Sequence, residues 1–347
     1  MESELDLGQM FLVGFRGCEV EADHWLAQAL SEDRLGGVIL FARNVDGSVQ
    51  NIDSPRQLER LIAQLRHFAA LPPFIAIDQE GGKICRLTPQ DGFLPSRSAA
   101  ELAGEGMAAA ACAADRMAAE LAGYGINFNF APVVDLDLNP DNPIIGRHQR
   151  SFGSDPALVA AHARIFIEAH HRQGVGCCLK HFPGHGSAGG DSHLGFVDTT
   201  ATWQAVELEP YRELLAAGYC DGIMTAHLIN RQLDPSGLPA TLSPEMITGQ
   251  LRQKLGFAGV VFSDDIQMRA ISTGWRYAEA VQRAVLAGVD VVVVGNNLRP
   301  TEHAVREGIG AIEALLARNR VDPHRIRSSL ARIARLKAMI AGEQPWT

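Results

Sequence analysis

Eight short apolar runs, separated by helical patterns, constrain the fold of this chain more than any other feature. The runs are Met10–Phe15, Gly37–Phe41, Phe74–Ile77, Ile126–Phe130, Gly176–Leu179, Gly222–Thr225, Gly259–Phe262 and Val289–Val294. Each run is continuously hydrophobic, which is typical of parallel strands buried on both faces. The helical segments include Ala99–Tyr124, Pro156–Gln173 and the closing Arg325–Ala341. This alternation predicts an α/β fold, a (β/α)8 TIM barrel, with a doubly wound open sheet as the alternative.

Length and composition are consistent with a single barrel domain over residues 1–347. The chain is 46% apolar, and barrels of roughly 200 to more than 400 residues fold as one domain. The net charge is −9 and no basic run occurs, so we expect no nucleic-acid partner. No apolar stretch approaches the ~18 residues that span a bilayer. The acidic N-terminus lacks the charge pattern of a signal peptide. We therefore expect a cytoplasmic enzyme that does not associate with membranes.

Six cysteines are present, and none forms a Cys-x-x-Cys pair. Cys177 and Cys178 are adjacent within an apolar run, where cysteine behaves as a small hydrophobic residue. We expect structural thiols rather than disulfides or redox groups.

Polar residues follow several of the predicted strands at the point where each strand ends. Asp78 follows the third run, Lys180 and His181 follow the fifth, His227 follows the sixth and Asp264 follows the seventh. The active sites of TIM barrels lie at the C-terminal ends of the strands. These side chains should therefore converge on one face of the barrel.

The densest polar motif runs from Lys180 to His193 and reads Lys-His-Phe-Pro-Gly-His-Gly-Ser-Ala-Gly-Gly-Asp-Ser-His. It contains three histidines, a lysine and an aspartate, and its second half is rich in glycine. Catalytic residues are often carried on loops that a rigid scaffold positions. Because glycine permits many backbone conformations, we expect the loop Gly186–Gly195 to move and close over a ligand.

Four motifs carry a resemblance to a known family: Gly36–Asn44, Ala76–Gly82, Lys180–Gly186 and Phe262–Asp265. Together they resemble glycoside hydrolase family 3, and in particular its single-domain β-N-acetylglucosaminidases. The resemblance extends from about Gly8 to Gly295. It implies a retaining enzyme that removes terminal N-acetylglucosamine, commonly from muropeptides in cell-wall recycling, without a metal or other cofactor. The expected partner is thus an N-acetylglucosamine-containing saccharide, and the oligomeric state is left open.

Asp264 resembles the nucleophile of this family. A retaining glycosidase needs a carboxylate that attacks the anomeric carbon and forms a covalent glycosyl-enzyme. A strand end holds such a group in a fixed direction. The alternative is that one acid of the pair caps the following helix, which suits Asp265 better than Asp264.

His193 and Asp191 resemble the Asp-Ser-His dyad of the N-acetylglucosaminidase subgroup, in which histidine is the general acid/base. The ordinary pKa of histidine, about 6.5, lies close to a neutral working pH. Asp191 could accept a hydrogen bond from one ring nitrogen and fix the tautomer. The alternative is an exposed histidine on a flexible loop.

The resemblance implies substrate-binding roles for five further residues: Asp78, Arg86, Arg150, Lys180 and His181. Charged groups around a sugar make short, oriented hydrogen bonds to its hydroxyls. His185 and His227 could order the loop and pocket or be purely structural.

Two positions depart from the family pattern. Lys83 follows Glu-Gly-Gly, where the family usually has arginine, and lysine lacks the planar guanidinium fork. The family also reads Ile-Gly-x-Arg-Ser, whereas two extra residues precede Arg150 here, so Arg147 is an alternative for that arginine.

Other functions remain open at this level. The nearest alternatives are a phosphorylase and a general β-glucosidase of the same family. A phosphorylase is compatible with the sequence because a neutral histidine acid/base need not repel an incoming phosphate. A metal-dependent barrel hydrolase would use His181, His185, Asp191 and His193, although no ligand pair has zinc spacing on a helix. A sugar-binding barrel without catalysis is a third, against which the presence of both Asp264 and His193 argues.

Overall fold

The computed structural model describes residues 5–139, 141–192, 194–219 and 221–346. Eight parallel strands follow one another along the chain, and each of the eight apolar runs contains or overlaps one of them. They are β1 (Phe11–Val13), β2 (Gly37–Leu40), β3 (Phe74–Ile77), β4 (Phe128–Asn129), β5 (Gly176–Phe182), β6 (Gly222–Thr225), β7 (Val260–Ser263) and β8 (Val292–Val294). The predicted α/β barrel is confirmed.

The strands are paired in the order β8-β1-β2-β3-β4-β5-β6-β7. Every pairing is parallel, with Val38 opposite Ile75 and Ile223 opposite Val261. The two ends of this sheet meet where Phe262 of β7 forms a parallel bridge with Val291, one residue before β8. The backbone N–H of Val291 also donates to the carbonyl oxygen of Val261 (3.0 Å). The barrel is therefore closed, which excludes the open sheet.

Aromatic side chains fill part of the barrel interior. Phe128 contacts Phe74 and Phe262, with ring centroids 5.2 and 5.0 Å apart, although these residues lie on β4, β3 and β7. Glycines on neighbouring strands make room for the rings. A β-carbon at Gly176 or Gly222 would lie 2.8 Å from the ring of Phe128 or Phe262, respectively. The interior is thus a packed core, as in other (β/α)8 barrels.

Ten α-helices accompany the strands within the described residues: α1 (Trp25–Ser31), α2 (Pro55–Phe68), α3 (Ala99–Glu105), α4 (Met107–Tyr124), α5 (Pro156–Arg172), α6 (Glu209–Ala216), α7 (Arg269–Ser272), α8 (Tyr277–Ala287), α9 (Ala304–Ala317) and α10 (Pro323–Ile340). Short 3-10 turns occupy Leu7–Met10, Pro89–Asp91, Gly146–His148, Ala205–Leu208 and Ala240–Leu242, and Glu245–Lys254 is a π-helix. Asp155 and Asp322 cap α5 and α10, and proline follows each cap, a common way to begin a helix. The predicted helix Ala99–Tyr124 is two helices, because Gly106 adopts φ 91° between them.

The main apolar core includes residues from Leu7 to Leu336. The assignment of residues 1–347 to a single domain stays a prediction. A small second sheet pairs Val197–Asp198 with Leu228–Ile229. Five cysteines are free thiols, and the sixth, Cys220, lies outside the described residues. In the part of the chain that is described, no helix is long and apolar enough to cross a bilayer.

Candidate active site

A cavity of about 230 Å³ lies at the C-terminal ends of the strands. Six of the predicted site residues line it: Asp78, Arg86, Arg150, Lys180, His181 and Asp264. They come from β5 and from the segments that follow β3, β4 and β7, far apart in sequence. The fold therefore brings these six side chains together on one face of the barrel, as expected.

Lys180 lies inside β5, which continues three residues beyond the predicted run and ends at Phe182. Its side chain is only 2% exposed, and Nζ donates to Asp78 Oδ1 (2.9 Å) and lies 2.7 Å from Glu80 Oε1. Burial alone would lower the pKa of Lys180, but the two carboxylates outweigh it and raise the pKa. Lys180 is thus a fixed cation at the floor of the cavity.

Arg150 forms a buried ion pair with Glu80. Its Nε and Nη2 donate to the two carboxylate oxygens, each at 2.7 Å, in the bidentate geometry that arginine favours. The side chains of Arg150 and Glu80 are 9% and 6% exposed. Burial opposes ionisation of Glu80, yet Arg150 and Lys180 hold its pKa well below the usual range. Glu80 is therefore a permanent carboxylate at neutral pH and not a general acid.

Arg147, the alternative to Arg150, lies outside this cavity. Its side chain is 63% exposed, and its nearest charged contact is Asp141 at 4.0 Å. Of the two candidates, it is therefore Arg150 that lines the cavity. Lys83, the other departure from the pattern, is exposed to solvent, and Arg86 from the same segment pairs with Asp78 instead (3.3 Å). Burial would raise the pKa of Asp78, but Lys180 and Arg86 lower it.

Asp135 is a buried acid of the site that the sequence analysis did not select. Its Oδ2 accepts from His181 Nδ1 (2.7 Å), and its Oδ1 accepts from the backbone N–H of His185 (2.8 Å). Despite complete burial, the neighbouring His181 lowers the pKa of Asp135. Because His181 Nδ1 donates to Asp135, its Nε2 can accept from Arg150 Nη2, which lies 3.3 Å away. A sequence signal was available, since Asp135 ends the apolar stretch Phe130-Ala-Pro-Val-Val.

Asp264 and Asp265 follow β7 and have different environments. The backbone N–H of Asp264 donates to the carbonyl oxygen of Thr225 (3.2 Å), which extends the pairing of β6 and β7 by one residue and fixes the strand end. Oδ1 of Asp265 accepts from the N–H groups of Gln267 and Gly295 (3.0 and 2.9 Å). Asp265 thus ties the turn after β7 to the segment after β8. It does not cap α7, whose N-cap is Met268.

His227 is held by hydrogen bonds beside the same turn. Its Nε2 donates to the carbonyl oxygen of Asp265 (2.8 Å), and its Nδ1 lies 2.8 Å from the hydroxyl of Thr241. Both ring nitrogens are therefore engaged, which favours an ordering role over proton transfer.

The loop Gly186–Gly195 begins with an anchored segment. Gly186, Ser187 and Ala188 are buried, and the Gly186 N–H and Ser187 hydroxyl donate to Glu207 (3.0 and 2.5 Å). A β-carbon at Gly186 would lie 1.7 Å from the carbonyl oxygen of Leu136, so this glycine is required by close packing rather than by mobility. The prediction of movement then concerns the residues after Ala188.

The predicted dyad lies only partly within the described chain. Asp191 is half-buried and does not line the cavity, whereas its neighbour Ser192 does. His193 lies outside the described residues. In residues 5–139, 141–192, 194–219 and 221–346, no group of three His, Cys, Asp or Glu side chains could hold a metal ion.

The chemistry of the described cavity suits a neutral, hydroxyl-rich ligand. Carboxylates and cations are fixed against one another, so each can accept or donate hydrogen bonds without moving. Asp264, at the end of a strand, adds a carboxylate from the other side of the barrel. Carboxylates at the strand ends of a closed barrel are compatible with glycoside hydrolysis.

The chain belongs to glycoside hydrolase family 3. The model of the "Glycosyl hydrolase family 3 N terminal domain" matches residues 3–336. A β-hexosaminidase from Tolumonas auensis is 36% identical over 334 residues, which cover 92% of this chain and 93% of that protein. The chain is thus a glycosidase of this family.

Two solved structures have the same fold. A family 3 β-N-acetylglucosaminidase from Paenibacillus sp. str. FPU-7 superposes with a TM-score of 0.88 at 35% identity, covering all of this chain and 64% of that longer one. A β-N-acetylhexosaminidase from Beutenbergia cavernae has a TM-score of 0.83 at 29% identity, covering 96% and 97% of the two chains. The likeness extends over the whole barrel.

Proposed function

We propose that this protein is a retaining exo-β-N-acetylglucosaminidase that removes terminal N-acetylglucosamine through a glycosyl-aspartate intermediate. One observation carries the proposal: Asp264 lines the same cavity as the ion-paired Asp78, Lys180 and Arg150. The names of the relatives, β-hexosaminidase and β-N-acetylglucosaminidase, support the choice of sugar. Muropeptides as the natural substrate rest on the family resemblance, and the cytoplasmic location stays a prediction from the sequence.

In the proposed mechanism, the Asp264 carboxylate bonds to the anomeric carbon while the bond to the leaving oxygen breaks. His193 gives its ring proton to that oxygen, and Asp191 orients the ring. Water then attacks the same carbon, His193 takes its proton, and the bond to Asp264 breaks. Two inversions give net retention of configuration. The fixed cations and anions around Lys180 bind the hydroxyls without having to reorganise.

Replacement of Asp264 tests the covalent route. We expect Asp264→Ala to lose nearly all turnover of an aryl β-N-acetylglucosaminide, because no other described residue is proposed to attack the anomeric carbon. Asp46→Ala, at an exposed loop acid, is the matched control and should leave the rate unchanged. An Asp264→Ala variant that keeps more than about a tenth of the wild-type rate would be too active to lack a nucleophile.

Replacement of His193 tests the acid/base assignment. A poor leaving group needs protonation in the first step, whereas dinitrophenolate does not. We therefore expect His193→Ala to form the glycosyl-enzyme from a dinitrophenyl glycoside, then stall, and to be restarted by azide. Equal losses on good and poor leaving groups, with no effect of azide, would reduce His193 to a binding residue.

The same assays separate hydrolysis from phosphorolysis. Product analysis with and without inorganic phosphate should give free N-acetylglucosamine in both cases. Formation of the sugar 1-phosphate would instead identify a phosphorylase.

A further inference from the structure

Glu207 is a buried acid that has no part in the proposed mechanism, and it lies against the start of the loop Gly186–Gly195. The residue is 1% exposed. Its Oε2 accepts from the backbone N–H of Gly186 (3.0 Å), and its Oε1 accepts from the Ser187 hydroxyl (2.5 Å). Longer contacts join Oε2 to the Ser187 N–H and Oε1 to the Gln204 N–H, each at 3.4 Å. All four of these partners are donors.

A carboxylate is the side chain that fits this set of partners. It has only acceptor oxygens, whereas the amide of glutamine would turn an NH2 group toward one of the donors. Burial raises the pKa of Glu207, and the hydrogen bond from the Ser187 hydroxyl is the main effect that opposes the rise. The loop and Glu207 thus stabilise each other, because the donors favour the ionised acid and the acid fixes the donors.

The chain between β5 and Ser187 is packed directly against the segment that contains Glu207. Trp203 Nε1 donates to the carbonyl oxygen of Pro183 (3.1 Å). A β-carbon at Gly184 would lie only 2.6 Å from the β-carbon of Glu207, so a glycine is needed for this close approach. The first residues after β5 are therefore held at several points by one neighbouring segment.

This anchored part of the loop leads directly to the proposed dyad. Ser187 precedes Asp191 by four residues and His193 by six. The other end of the stretch is also tied, since the carbonyl oxygen of Ser192 accepts from the backbone N–H of Ala270 (3.3 Å). The direction in which the chain leaves Ser187 therefore determines where the side chains of the dyad can lie.

We propose that Glu207 is a positioning residue for proton transfer, which holds the loop so that His193 and Asp191 can reach the leaving oxygen. This inference rests on the proposed function. Glu207 does not line the cavity that Asp78 and Lys180 line, so it takes no part in holding the sugar. A change at Glu207 should therefore act on proton transfer and not on sugar binding. A displacement of about 1 Å at a reacting group can cost about 100-fold in rate.

The experiment compares kcat/KM, which reports formation of the glycosyl-enzyme, on the phenyl and dinitrophenyl β-N-acetylglucosaminides. We expect Glu207→Gln to lower the value about tenfold or more on the phenyl glycoside and much less on the dinitrophenyl glycoside, whose leaving group needs no proton. The inhibition constant of N-acetylglucosamine should stay unchanged. Azide should raise kcat of the variant on the dinitrophenyl glycoside, because it needs no base in the second step.

Two further variants complete the comparison. Ser187→Ala removes only the hydroxyl donor, so it should show the same pattern with a smaller loss, and it carries the test if Glu207→Gln does not fold. Melting temperatures report whether each variant is folded. The matched control is Glu213→Gln, at an exposed acid of α6, which should leave all of these values unchanged.

A loss of stability alone would reduce the amount of active enzyme and lower both kcat/KM values by the same factor. An unchanged ratio of the two values would therefore overturn the inference, and so would a raised inhibition constant of N-acetylglucosamine. His193→Ala separates this result from a failure of the proposed function. If His193→Ala shows the leaving-group pattern and Glu207→Gln does not, only the inference is wrong. If His193→Ala lacks the pattern, the acid/base assignment is wrong and the inference falls with it.

Discussion

Replacement of Arg150 by methionine should lower both the free energy of unfolding and the catalytic activity. The change removes two hydrogen bonds to Glu80, each 2.7 Å long, from a pair whose side chains are under 10% exposed. Breaking a buried ion pair from one side costs about 3–5 kcal/mol, because the remaining charge stays buried. Here Lys180 Nζ remains 2.7 Å from Glu80 Oε1, so the carboxylate keeps one cation and the lower value, about 3 kcal/mol, is expected.

The assay is equilibrium urea denaturation of the wild type, Arg150→Met and the control Arg147→Met. Arg147 is 63% exposed and 4.0 Å from an exposed aspartate, so its loss should change the free energy of unfolding by less than about 0.5 kcal/mol. The double variant Arg150→Met/Glu80→Gln should recover part of the loss, since it also removes the buried carboxylate that has lost its two hydrogen bonds to Arg150. If Arg150→Met costs no more than Arg147→Met, the buried pair does not have the strength assigned to it.

Two further outcomes follow from packing and burial. Gly186→Ala should lower the melting temperature and kcat, because its β-carbon would overlap the carbonyl oxygen of Leu136. Gly189→Ala is the control, with no atom within 4 Å of the new carbon, and equal effects would contradict the packing argument. Burial lowers the pKa of His170 to about 4, so the unfolded chain takes up a proton that the folded chain does not. Stability should therefore fall by about 3 kcal/mol as the pH drops from 6.5 to 4. His170→Gln should lack this part of the pH dependence in urea titrations, and an unchanged profile would refute it.

Much of the fold could be predicted because parallel barrel strands are buried on both faces and so leave continuous apolar runs in the sequence. The residues at which individual strands and helices begin and end could not be predicted in this way. β4 is only Phe128–Asn129, because these are the two residues of its apolar run that pair in register with both β3 and β5. β5 continues through two polar residues, Lys180 and His181, because their partners are other site residues rather than solvent. Helix propensity alone did not reveal the break at Gly106, where a left-handed backbone ends one helix and begins the next.

The residues of the candidate site could likewise be predicted only in part. Residues at strand ends, such as Asp78 and Asp264, could be found from the pattern alone. Glu80 could not be singled out from the sequence, because its pairing with Arg150 joins positions 70 residues apart and no local signal reports it. Asp135 was missed although it ends an apolar stretch, because five residues, Phe130 to Val134, separate it from the end of β4. Which arginine enters the cavity was likewise decided by tertiary packing and not by spacing.

The burial of the Lys180 cluster has a consequence for how the protein responds to its ionic environment. Dissolved ions weaken interactions between exposed charges over a Debye length of about 8 Å at physiological ionic strength, but they act much less on buried pairs. Lys180 and Arg150 are both paired with the carboxylate of Glu80, and the side chains of all three are under 10% exposed. Changes in salt concentration therefore leave these contacts largely intact. Charged side chains can thus bind an uncharged sugar with an affinity that is nearly independent of salt concentration.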